Sequence, residues 1–169
     1  MLEEKVIEKL REYQLKITTA ESCTGGLIAA TLVNVAGASY VLEEGYITYS
    51  NEAKIKLLGV REESLKEYGA VSRQVAEQMA EGAAGLAGAD AALAATGIAG
   101  PDGGTREKPV GLVYIGCYLQ GKTVVSENHF TGSRTEVRKQ TVEAALKLLL
   151  EQLDEAFDRE CIEKGKYEQ

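Results

Sequence analysis

Histidine occurs once in this chain, at His129, and that scarcity closes the commonest route to an activated serine. A Ser-His-Asp triad would depend wholly on this residue. It falls in a strand-like run, on the face opposite Phe130, and reads as solvent-facing. Cysteine is also sparse: Cys23, Cys117 and Cys161 are odd in number, widely spaced and without a CxxC pair. That argues against a disulfide framework or a zinc site and for a reducing, cytoplasmic setting. There is no HExxH, HxE or clustered Cys/His pattern, so neither a metal nor another cofactor is expected. Basic residues are in deficit, 19 against 26 acidic ones, for a net charge of −7. Nucleic-acid binding normally requires the opposite balance. A small anionic ligand stays possible, because a few arginines in one pocket are invisible to net charge. No apolar run reaches membrane-spanning length, and the start of the chain, MLEEK, lacks the apolar region of a secretory signal. Internal repeats and low-complexity stretches are absent as well.

What is present is enough for one folded domain: 169 residues, 44% of them hydrophobic, sufficient for a sizeable core. Val6, Ile7 and Leu10 mark an amphipathic first helix over residues 3–13. A β-branched strand over 16–20 leads through a Gly-rich corner into an apolar helix ending near Val35. Residues 45–49 read as a second strand, and Ser50 and Asn51 are good caps for a helix over 52–58. Ser64 and Glu67 have capping-box spacing for another short helix. Ser72 opens a long Ala- and Gly-rich helix through Ala87, followed by a buried strand over 89–95. Strands over 110–119 and 123–130 flank a Gln120-Gly121 turn, a hairpin signature. Ser133 and Glu136 form a second capping box, launching a helix with Val137, Thr141, Ala144, Ala145 and Leu148 on one face and ending near Phe157. The tail from 158 to 169 is charged and expected to fray. The fold expected is a single-domain three-layer α/β/α sandwich over 1–157, with a mixed, mostly parallel sheet and a late β-hairpin.

Chemistry concentrates in a few segments. TAESCTGG at 19–26 places Ser22, Thr24, Gly25 and Gly26 at a strand-to-helix corner, where backbone N–H groups favour anions and developing oxyanions. Ser22 there is either a helix cap or a nucleophile, and Cys23 is the rival nucleophile. The loop from Thr96 to Gly104 follows a buried strand and holds four glycines, including Gly97 and Gly100, suited to letting N–H groups approach an anion. It matches neither a Walker loop nor a dinucleotide fingerprint. Lys54 falls in the first turn of a short helix, where the helix field opposes its charge and favours the neutral amine a general base needs. Taken alone, it reads as an exposed lysine like its neighbour Lys56. Arg134 and Arg138, one turn apart, have the spacing of a phosphate or carboxylate clamp or of a solvated helix face.

Taken in order, AESCTGG at 20–26, GYITYSNEAK at 45–54, GAVS at 69–72, TGIAGP at 96–101 with PVG at 109–111, and residues 130–138 resemble the C-terminal domain of the competence/damage-inducible CinA family. The matching stretches span residues from about 15 to 150, without departure at the motif positions, and the larger N-terminal domain of full-length members is not among them. Stand-alone members of that family are nicotinamide-nucleotide amidases. The resemblance therefore implies hydrolysis of the carboxamide of nicotinamide mononucleotide (NMN), with Ser22 as nucleophile and Lys54 as its base and proton shuttle. Thr24, Gly25 and Gly26 would supply the oxyanion hole, and Tyr49 or Asn51 would position Lys54. The loop carrying Thr96, Gly97 and Gly100 would hold the 5′-phosphate with Arg134 or Arg138. A homodimer is expected, with no nucleic acid or membrane partner. The competing reading is a non-catalytic nucleotide-binding or interaction module.

Overall fold

The computed structural model describes the backbone of residues 1–164 and the side chains of residues 1–157, so Cys161 and the rest of the charged tail from 158 lie outside the described side chains. Five strands form one sheet in the order β2-β1-β3-β4-β5. They are β1 (Ile17–Glu21), β2 (Tyr46–Ile47), β3 (Ala91–Gly97), β4 (Leu112–Leu119) and β5 (Lys122–His129). The β1 pairings with β2 and β3 are parallel, and the β3–β4 and β4–β5 pairings are antiparallel. Four strands thus run one way and only β4 opposes them. The late hairpin forms as expected: Gln120 and Gly121 take positive φ of 46° and 89°, the turn geometry that matches the twist of the strands it joins.

Helices cover both faces. Helices α1 (Leu2–Glu12), α2 (Leu27–Val33) and α6 (Arg134–Lys164) lie on one side, and α3 (Asn51–Leu58), α4 (Glu62–Tyr68) and α5 (Arg73–Ala87) on the other. The alternation along β3 shows why this sheet is buried twice. Ala91, Leu93 and Ala95 join the core under α1, α2 and α6, while Ala92 and Ala94 join the core under α5. On the α5 side Ala92 and Ala94 suit a close helix: a Cβ added at Gly116 of β4 would fall 2.6 Å from the Ala76 carbonyl oxygen of α5. A Cβ added at Gly82 of α5 would fall 1.9 Å from the Leu58 carbonyl oxygen, so only glycine permits the α3–α5 crossing.

The local caps are those expected from the residues. The Ser72 hydroxyl accepts the Val75 N–H at 3.3 Å, and Ser133 and Glu136 satisfy each other's backbone amides at 3.3 and 2.6 Å. Three details differ. Helix α4 begins at Glu62 rather than at Ser64, whose buried hydroxyl instead accepts from Gln78 Nε2 at 2.8 Å. Strand β2 has two residues, because the chain turns after Ile47 toward α3. Helix α6 continues past Phe157 to Lys164.

The connections place the site. The chain leaves β1 through α2 to reach β2 on one side, then returns through α3, α4 and α5 to β3 on the other side. Strand β1 is therefore the switch point, and ligands in open α/β sheets bind beyond the carboxyl ends of strands at such a point. Ser22 directly follows the end of β1.

Candidate active site

Beyond the ends of β1, β2 and β3 lies a cleft of about 200 Å³. The first segment contributes Ser22 and Cys23, and the second contributes Tyr49, Asn51 and Lys54. Ala70 and Val71 form a wall between α4 and α5, β3 contributes Thr96 and Gly97, its loop contributes Ala99, and α6 contributes Arg134. Segments up to 112 residues apart in sequence, from Ser22 to Arg134, thus meet in one place. Arg134 carries a positive charge, Lys54 is the only other basic side chain, and none of the lining residues is acidic, so an acidic protein presents a cationic cleft.

Lys54 is the decisive side chain. Ser50 caps α3 by accepting the Ala53 N–H at 3.1 Å, which fixes Lys54 at the end of the first turn facing inward. The lysine is 1% exposed, and no carboxylate among the described residues lies within ion-pairing distance. Its Nζ lies 3.0 Å from Ser22 Oγ, 2.8 Å from the Thr48 carbonyl oxygen and 3.5 Å from that of Tyr49. Burial lowers its pKa below the ordinary lysine value, with Cys23 opposing the shift weakly. The main physical cause of that shift is desolvation. A neutral amine has two N–H donors and one lone pair. The two carbonyls can take both donors, leaving the lone pair for the serine O–H.

Ser22 does not cap α2. That task falls to Glu21, a residue the sequence reading passed over: its Oε1 accepts the Ile28 N–H at 2.8 Å and its Oε2 the Ala29 N–H at 3.0 Å. The loop between them turns through Gly25 and Gly26 at φ 57° and 99°. The Gly25 N–H is already engaged with the Ser22 carbonyl at 3.1 Å, whereas the Cys23 and Thr24 amides make no backbone hydrogen bond among the described residues. The Thr24 hydroxyl is buried and likewise unpartnered there, and Gly26 packs beneath Ile47. Cys23 is 7% exposed, and burial pushes its thiol up to about 11, so it is a thiol at neutral pH.

The two arginines separate in role. Arg134 lies at the mouth of the cleft, donating to the Gly100 carbonyl at 2.9 Å and to the Tyr49 hydroxyl at 3.2 Å. Arg138 does not line the cleft. It donates to the Cys23 carbonyl at 3.1 Å from Nε and to the Thr24 carbonyl at 2.8 Å from Nη2. A planar trans peptide points its C=O and N–H in opposite directions. Gripping the Cys23 carbonyl therefore turns the Thr24 N–H away from Arg138. In the glycine loop, Thr96 is buried and donates to the Ala70 carbonyl at 2.8 Å, Gly97 ends β3, and Gly100 offers its carbonyl to Arg134. Asn51 and Tyr49 line the cleft, but Lys54 is held by the Thr48 and Tyr49 backbones rather than by their side chains. His129 is exposed and bonded to Glu127 at 2.9 Å, on the far edge strand. No group of metal-binding side chains is found among the described residues, and no helix there is long and apolar enough to cross a membrane.

Comparison with known proteins bears on the same frame. A CinA-like protein of Kosmotoga olearia is 56% identical over 145 residues, covering 86% of this chain and 35% of that protein. A putative competence-damage inducible protein of Clostridium novyi is 53% identical, covering 97% of this chain and 38% of its own length. The chain thus spans 35% and 38% of the length of these two relatives. Among solved structures, the competence/damage inducible protein CihA from Agrobacterium tumefaciens superposes with a TM-score of 0.88 at 46% identity, covering 90% of this chain and 93% of that one. A competence-damaged protein (CinA) superfamily protein from Klebsiella pneumoniae gives 0.88 at 38% identity, covering 91% and 96%. The CinA C-terminal domain model matches residues 1–153, which include every segment of the cleft. With sequence, fold and family model in agreement, the chain belongs to the CinA C-terminal domain family.

Proposed function

We propose that this chain is an amidohydrolase that converts NMN to nicotinate mononucleotide and ammonia, using Ser22 as nucleophile and Lys54 as base. The observation that carries this reading is a buried lysine without a carboxylate partner, 3.0 Å from a serine hydroxyl in a cationic cleft. A buried ammonium is costly, so a fold retains one only with compensation or a use. In the proposed reaction, the Lys54 amine takes the Ser22 proton as Oγ attacks the carboxamide carbon. The oxyanion of the tetrahedral intermediate faces the Cys23 and Thr24 amides. The Lys54 ammonium then protonates the departing nitrogen, ammonia leaves, and an acyl-serine ester remains. Lys54, neutral again, activates a water that hydrolyses the ester and restores Ser22. Arg134 has five N–H donors and uses two in the contacts described, so the others are available to the 5′-phosphate. Such an activity belongs to pyridine-nucleotide salvage in the cytoplasm.

The test is ammonia release from NMN, with nicotinamide, nicotinamide riboside and NAD as controls. The proposal expects NMN to be turned over faster than the three controls, with the riboside a slower but measurable substrate. Saturable binding of NMN with no ammonia released refutes the catalytic reading in favour of a binding module.

A further inference from the structure

Glu21 immediately precedes the proposed nucleophile but does not line the cleft. It is 1% exposed, and its backbone is fixed on both sides, in register with Ile47 of β2 and Ala95 of β3. Its carbonyl also accepts the Thr48 N–H at 2.9 Å. From this anchored position the side chain reaches over the loop to the Ile28 and Ala29 amides, at 2.8 and 3.0 Å. Helix α2 has no acidic residue in its first turn, and its N-cap, Gly26, has no side chain to offer. Glu21 therefore provides the cap from seven residues upstream and pins both ends of the loop that carries Ser22.

Two consequences follow. A serine that capped α2 would spend its hydroxyl on helix amides, whereas here Ser22 Oγ is left to meet Lys54 at 3.0 Å. The positive end of α2 is also closed, because a carboxylate already occupies two of its amides, so an anionic substrate finds no place there. We infer that Glu21 is a positioning residue: by capping α2 in place of Ser22, it holds the Ser22–Gly26 loop so that the hydroxyl stays on the lysine amine. The inference rests on the serine–lysine reading of the cleft.

Two variants test it. Glu21→Gln keeps the shape but sets an amide N–H against a backbone N–H, and Glu21→Asp keeps the charge but falls one methylene short. For each, the rate of Ser22 modification by phenylmethylsulfonyl fluoride is followed by mass spectrometry across pH, beside kcat and KM on NMN. Leu153→Ala, in the α6 core away from the cleft, serves as a control for general destabilisation. Both Glu21 variants should show a plateau rate and kcat lower by about 10- to 100-fold, the scale of a misplaced reacting group. KM and the pH midpoint should not move, and Leu153→Ala should modify at the wild-type plateau rate. Rates within twofold of wild type in both variants overturn the inference. So does a loss matched by Leu153→Ala, a shifted midpoint with the plateau intact, or failure of both variants to fold. Failure to modify Ser22 in the unsubstituted protein overturns the serine–lysine reading itself, and this inference with it.

Discussion

Lys54→Met isolates the chemistry of one amine from the packing of its stem. Methionine keeps most of the aliphatic length and removes the group that meets Ser22 at 3.0 Å and the Thr48 carbonyl at 2.8 Å. Loss of a positioned acid–base group lowers turnover by about 10²–10⁴-fold, equivalent to about 3–5 kcal/mol of activation free energy. Stability should move the other way. The variant leaves the Thr48 carbonyl without its lysine donor, at about 1 kcal/mol for a typical hydrogen bond. It also removes an amine that on folding must either bury its charge or give up its proton, a penalty of several kcal/mol below the ordinary lysine pKa. The second effect is larger, so the melting temperature should stay level or rise. The pH dependence has a defined sign. Burial lowers the folded-state pKa of Lys54 while the unfolded value stays ordinary. Between those two values the unfolded chain binds more protons, so wild-type stability rises with pH across that window. The advantage of Lys54→Met should accordingly be greatest below the depressed pKa and shrink as pH rises through it. Wild-type kcat should rise with pH through the same pKa, measured by ammonia release and calorimetry on both proteins. Near-normal turnover in Lys54→Met, or a melting temperature well below wild type at neutral pH, would refute the reasoning.

Ser22→Ala should lower ammonia release by at least about 10³-fold with the fold intact. Cys23→Ala should keep most of it, since a buried thiol held at about 11 is not a thiolate at neutral pH; the reverse pattern would reassign the nucleophile. Arg134→Ala should raise KM for NMN by about tenfold, the worth of one charge-assisted contact, and leave KM for the riboside unchanged. Arg138→Ala, which frees the Cys23 and Thr24 carbonyls, should instead lower kcat on both substrates. Equal KM effects of Arg134→Ala on the two substrates would place the phosphate elsewhere. Gly82→Ala drives a methyl into the Leu58 carbonyl oxygen. At about 2 kcal/mol for overpacking and 2–4 °C per kcal/mol, calorimetry should show a melting temperature lower by about 4–8 °C.

Short-range chemistry was legible in the residues themselves. The cap at Ser72, the box at Ser133 and Glu136, the turn at Gln120 and Gly121 and the apolar stripe of α1 each depend on partners within a few positions. Those signals in series are enough to specify a layered α/β domain. The corner at 19–26 was equally visible as a place for a hydroxyl among backbone amides. Its division of labour was not. The Glu21 carboxylate reaches Ile28 and Ala29 across a loop whose path depends on two left-handed glycines, and no spacing rule separates that cap from one made by Ser22.

Arg134 and Arg138 are indistinguishable as a pair one turn apart, since both would carry charge on the same helix face. Only the docking of α6 sends Arg134 to the cleft mouth and Arg138 to the carbonyls of Cys23 and Thr24. Lys54 and Lys56 are likewise two lysines on one short helix, and Lys54 alone is buried. By itself, the sequence determined the elements, their order and which segments carry reactive groups, because those follow from local periodicity and capping. The tertiary structure decided which groups meet and which charge is desolvated. Distances of 3 Å between residues 32 positions apart, and the removal of water around them, exist only once strands and helices have packed.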